Sequence, residues 1–114
     1  MNPIISAILN KALDGLSLRS VATAQNIANV NSAGYRPLSV SFEEELQSAA
    51  AKGEDAVRTL PLTMHQANVA ASQGVRLDLE LETQSETAMR YGALVDVLAR
   101  ELQLQRTIIR GGQS

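Results

Sequence analysis

The run Gln25-Asn26-Ile27-Ala28-Asn29-Val30-Asn31-Ser32-Ala33-Gly34-Tyr35-Arg36-Pro37 constrains this chain most, because it closes a long apolar-periodic segment with residues that cannot continue a helix. Asn31 or Gly34 can take the left-handed backbone conformation that ends a helix. Pro37 disfavours helical geometry at Arg36 and pushes it towards an extended one. The chain therefore leaves a helix here and turns into an extended segment. Asn26 and Asn29, spaced i,i+3, share a helix face on which asparagine is a poor helix former and needs a partner. The expected partner is a neighbouring subunit, with the two asparagines fixing register between helices.

The segment before the turn, residues 4–30, carries Leu9, Leu13, Leu16, Ser20, Thr23, Ile27 and Val30 at alternating spacings of three and four. That is a coiled-coil-like seam. At the other end of the chain, residues 84–110 repeat the design with Ala88, Tyr91, Val95, Leu98, Leu102, Gln105 and Ile109, and a second stripe holds Leu94, Val97, Leu104 and Ile108. Thr83 with Glu86 reads as a capping box for this helix, and Gly111-Gly112 as its stop. Each helix would hold about 27 residues and span roughly 40 Å. The expected fold is mainly α, a single domain over 1–114 in which the two terminal helices pair as a coiled-coil-like bundle. One pair cannot cover all these stripes, so association is expected. The seams expected to pack between subunits are Leu9, Leu13, Leu16 and Ile27 on the first helix, and Tyr91, Val95, Leu98, Leu102 and Ile109 on the second.

Between the helices, residues 31–52 should form the turn, a short extended segment at Leu38–Phe42, and a short helix with Ser41 and Glu44 as a capping box and Gly53 as its stop. Residues 53–74 lack sustained periodicity and read as a mobile connector. Residues 75–82, Val-Arg-Leu-Asp-Leu-Glu-Leu-Glu, alternate apolar and polar without a break and predict an extended segment. It could pair with Leu38–Phe42 or lie alone.

Composition narrows the function classes. Aromatics make up 3% of 114 residues, so packing relies on Leu, Ile, Val and Ala, which suit close helix–helix approach. A net charge of -2 gives no general attraction to nucleic acid or anionic lipid. With no cysteine and His65 as the one histidine, no His/Cys cluster can form for zinc or an activated thiol. The acids Glu43-Glu44-Glu45 and Asp78, Glu80 and Glu82 lack the ligand spacing and turn glycine of a calcium loop and read as solvated faces. No catalytic residue, cofactor, metal or small-molecule substrate is expected. No apolar run approaches the ~20 residues needed to cross a bilayer. The apolar start Ile4–Leu9 has no basic residue before it, so export would not use a cleavable secretory signal.

The stretch QNIANVNSAGYR at residues 25–36 resembles the signature of bacterial flagellar rod and hook proteins, with Asn26, Ala28, Asn29, Gly34 and Tyr35 at matching positions. Leu16-Ser17-Leu18-Arg19 and Phe42-Glu43-Glu44-Glu45-Leu46 are also similar to that family. Leu77-Asp78-Leu79-Glu80 running into Glu86-Thr87-Ala88-Met89-Arg90-Tyr91, then a long helix to Gly111-Gly112, is most similar to the proximal-rod members. The resemblance implies a structural subunit of the basal-body rod, the axial shaft that transmits motor torque across the periplasm, exported uncleaved through the flagellar type III apparatus. Implied partners are copies of itself, other rod proteins, the rod-to-membrane-ring adaptor, the membrane ring and the export apparatus. Phe42 and Leu46 resemble the Phe-x-x-x-hydrophobic element that engages the export gate. The bland alternative makes them i,i+4 core neighbours. From another function class, the same stripes would suit a small coiled-coil adaptor or regulator of one soluble partner.

Overall fold

The computed structural model describes residues 2–67 and 74–112. In chain order it contains α1 (Pro3–Ala28), β1 (Leu38–Ser39), α2 (Glu43–Lys52), α3 (Glu54–Arg58), β2 (His65–Gln66) and α4 (Leu77–Gly112). The architecture is mainly helical, with long N- and C-terminal helices and a small two-stranded sheet between them. Asn2 caps α1 by accepting a hydrogen bond from the Ile4 amide at 2.9 Å, with Pro3 in the first turn, where its missing N–H costs nothing. The helix ends at Asn29, and Gly34 turns the chain at φ 75°.

The core lies between α1 and the segment that follows it. Ala7, Leu16 and Ala22 of α1 pack with Val40, Phe42, Leu46, Ala49 and Val57. Close approach is possible because Gly15 leaves room for the Phe42 ring: a Cβ there would sit 2.5 Å from Phe42 Cε1. The aromatic-poor composition thus supplies one phenylalanine to the core, and α1 presents a glycine to receive it.

α4 lies on another side of α1 and runs antiparallel to it. Asn26 near the end of α1 meets Glu80 near the start of α4, Ser17 and Ser20 face Thr87 and Tyr91, and Ala12 faces Leu94. Continuing this register brings Pro3 level with the last third of α4. About nine residues, ~13 Å of helix, then run past the start of α1. The long axis of the molecule is 66 Å. Among the described residues of α4, Thr87 is the one buried residue; Leu94 and Leu98 are half-buried, and Gln84 Oε1 is buried without a hydrogen-bond partner.

Several sequence expectations are corrected. Residues 77–82 are helical, not extended: α4 starts at Leu77, so Thr83 and Glu86 lie inside it and form no capping box. Leucine, glutamate and arginine are strong helix formers, and Val75 is the lone β-branched residue of this stretch. The alternation buries no strand face, since Leu77, Leu79 and Leu81 are all exposed. β1 pairs instead with β2, antiparallel, with Leu38 opposite Gln66 and Ser39 opposite His65.

Residues 53–67 are not a mobile connector. They hold α3, whose Val57 is fully buried, and β2. Lys11 fixes the exit of α3 by donating from Nζ to the carbonyls of Arg58 and Leu60 at 3.1 and 2.9 Å. The remainder of the expected connector, 68–73, lies outside the described residues. α2 begins after Phe42 with no side-chain cap, so the Ser41 capping box is absent; Gly53 ends α2 as expected. Gly111 and Gly112 are the last residues of α4, not a stop before them.

Candidate functional site

Two features of this fold stand out: a buried hydrogen-bond node at Asn26 and an uncovered apolar surface on α4.

Asn26 is 1% exposed and bonds at both ends of its amide. Nδ2 donates to the Leu38 carbonyl at 2.8 Å and to Glu80 Oε2 at 3.0 Å. Oδ1 accepts from the Leu38 amide and from the Tyr35 hydroxyl, each at 2.8 Å. One side chain thereby ties α1 to the turn, to β1 and to α4, and its donors and acceptors are all used. Tyr35 has its pKa raised, first by burial and then by the negative charge of Glu80, which keeps the phenol protonated as the donor.

Asn29 is the C-cap residue. Its Nδ2 donates to the Gln25 carbonyl at 2.8 Å, and its Oδ1 accepts from Ser32 Oγ at 2.9 Å. The expectation that these asparagines await another subunit is therefore corrected: both are satisfied within the chain. Of the other motif positions, Ala28 is exposed at the end of α1 and Gly34 provides the positive φ. The motif is a folding device that sets the angle between α1 and everything after it.

A second polar cluster clasps α2 and α4. Arg19 donates from Nε and Nη2 to the Val40 carbonyl at 2.9 and 2.7 Å and pairs with Glu43 at 2.7 Å. Its guanidinium also stands 5.1 Å from the Phe42 ring centroid, within cation–π range. Arg90 of α4 reaches Glu43 at 3.5 Å and Glu86 at 2.8 Å. The Arg19 hydrogen bonds hold the Glu43 carboxyl down to about 2. Sequence reasoning missed this role for Arg19. Its signal was an arginine set among Leu16, Leu18 and Ala22, with three glutamates downstream.

The expected packing residues divide sharply. On α1, Leu9 and Leu16 are buried and Leu13 and Ile27 half-buried. This seam is spent in part inside the chain, where Leu16 joins the core cluster, while Leu13 and Ile27 keep part of their surface accessible. On α4, Tyr91, Val95, Leu102 and Ile109 are 41–59% exposed and Leu98 is half-buried. Leu79, Val97, Leu104 and Ile108 lie exposed along the opposite edge of the helix. Among the described residues, eleven of the thirteen exposed large hydrophobics belong to α4. The buried strip of α4 is thus flanked by two uncovered ones, more than isolated surface leucines account for. Phe42 and Leu46 are both buried in the core, as i,i+4 neighbours would be.

Among the described residues no group of three metal-ligating side chains forms, and no helix is long and apolar enough to cross a membrane. No protein-family model and no curated protein matches the chain.

Proposed function

We propose that this chain is a structural, non-catalytic subunit of the bacterial flagellar basal-body rod, most similar to the proximal rod protein FlgB. The observation that carries the assembly part of this reading is the pair of uncovered apolar edges on α4, which need partners outside the chain. The motif at residues 25–36 supplies the kind of assembly: a family that polymerises through terminal helices into the axial drive shaft in the periplasm. Its partners there would be copies of itself, other rod proteins, the adaptor and the membrane ring. Asn26 and Arg19 would then act by rigidity, holding α4 at a fixed angle so that load passes between subunits through packed helices. Phe42 and Leu46 would be accessible to the export gate only in the unfolded chain, which fits secretion before folding.

Leu102→Asp tests the reading, because Leu102 is half exposed and contributes little to the fold. The variant should keep its helical circular dichroism yet be missing from purified basal bodies, with motility lost. Normal recovery of the variant in basal bodies would remove α4 from the interface. A stable complex with one cytoplasmic protein, with motility intact after deletion of the gene, would favour the adaptor reading instead.

A further inference from the structure

The hydrophobic core of this chain is complete without α4. All eight residues of the buried cluster lie between Ala7 and Val57, and of the partly buried hydrophobics packed against it Leu94 alone comes from α4 among the described residues. Over its first half, α4 meets α1 through small and polar groups: Ser17 and Ser20 face Thr87 and Ala88, and Thr23 shares a narrow cleft with Glu80 and Thr83. Such a seam gains little from burial, which rewards large apolar side chains. One turn before Thr87, Gln84 Oε1 is buried without a hydrogen-bond partner, and that opposes docking. Nor does α4 close down on its flanks, where grooves of about 320 and 300 Å³ remain, the first lined by Phe42, Leu46 and Leu94 and the second by Ser20, Thr87 and Tyr91. Two ties that cross from α4 to the rest of the chain are Asn26 Nδ2 to Glu80 Oε2 at 3.0 Å and Arg90 to Glu43 at 3.5 Å. The second joins half-exposed groups and is worth little in water. Gly92 weakens the helix itself, and a Cβ there would meet nothing within 4 Å, so packing does not require a glycine.

We propose that α4 is a strap that lifts off α1 as one unit while residues 3–66 stay folded. Gly74, at φ 61° just before the helix, gives the chain a pivot without a side chain. Lifting bares Leu16 and Phe42 on the side that meets Ala93 and Leu94, together with the inner strip of α4. Once lifted, the helix loses its tertiary support and its amides exchange with water. The opening belongs to the single chain and holds whether or not that chain is a rod subunit.

Native-state hydrogen exchange on the full chain in increasing, sub-denaturing urea tests this directly. Amides of residues 84–98 should share one opening, with exchange at least about tenfold faster and less urea-dependent than around Leu16 and Ala22. One common free energy and urea dependence for both sets overturns the proposal, and so does a scatter of unrelated openings along 84–98, which marks fraying. Val57→Ala gives the second test, because it weakens the core and not the seam. It should speed exchange around Leu16 and Ala22 about tenfold and leave residues 84–98 unmoved; an equal rise in both sets means that α4 opens only with the core. Ala49→Gly serves the same purpose if Val57→Ala does not fold. Gln84→Met, which removes the unpaired oxygen at nearly constant volume, should slow exchange at 84–98 about tenfold, and unchanged or faster exchange overturns the role given to Gln84.

Discussion

Replacing Asn26 with alanine removes all four hydrogen bonds of the node while leaving the α1 backbone in place. Tyr35 is half-buried and Glu80 half-buried, so both can recover water. The Leu38 amide and carbonyl recover water less readily, because the Asn26 amide that meets each of them at 2.8 Å is 1% exposed and the space it vacates is closed off by the fold. An unsatisfied buried backbone group costs about 1–3 kcal/mol, so losing both partners should destabilise the fold by about 3 kcal/mol. For a domain of this size that corresponds to a drop in Tm of roughly 12 °C. Asn29→Ala is the internal control. Its bonds are to Gln25 and Ser32 at the helix end, and its loss should cost less than about 1 kcal/mol. Thermal and urea unfolding of the purified variants measure both. If Asn26→Ala costs no more than Asn29→Ala, the node is not what holds the turn and α4 against α1.

Gly15→Ala should destabilise by about 1–3 kcal/mol in urea unfolding, since its methyl would overlap the Phe42 ring. Gly34→Val should cost about 1–2 kcal/mol from backbone strain alone, because an added side chain there meets nothing within 4 Å; an unchanged midpoint would argue against the positive φ. Glu43 has a folded-state pKa near 2, below its ordinary value of 4.5, so its stabilisation is fully present above about 4.5 and is lost as pH falls through 2. Solvent screening at this half-exposed carboxylate limits the effect to about 1 kcal/mol, and in urea titrations Glu43→Gln should lose the wild-type excess stability at neutral pH and converge with it near pH 2. Amide exchange in the monomer should be fastest along residues 104–112, where Leu104, Ile108 and Ile109 are exposed, and slowest around the buried Leu16 and Ala22; uniform protection along α4 would contradict the exposed end.

Much of the framework was legible because it depends on local rules. The stripes of residues 4–30 and 84–110 identify the two long helices, and Gly34 and Gly53 mark turns that only a residue without a side chain adopts easily. The misreading of 75–82 arose from weighing periodicity above propensity. A period-two pattern has meaning only when one face is buried, and here no face is. Residues 53–67 were illegible for the opposite reason: α3 is a single short turn of helix, too brief to display a period, and its order comes from Val57 inserting into a core made by other elements.

By itself the sequence determined that this chain builds two long helices around a breaker, with more apolar surface than they can bury together. Helix propensity, spacing and turn chemistry are properties of neighbouring residues, so they can be read along the chain. Tertiary structure decided which surfaces are spent and which remain. It placed Leu9 and Leu16 inside, gave Asn26 four partners from three other segments, and left the two edges of α4 open. Those outcomes depend on which segments, distant in sequence, arrive at the same place, and no local pattern carries that information.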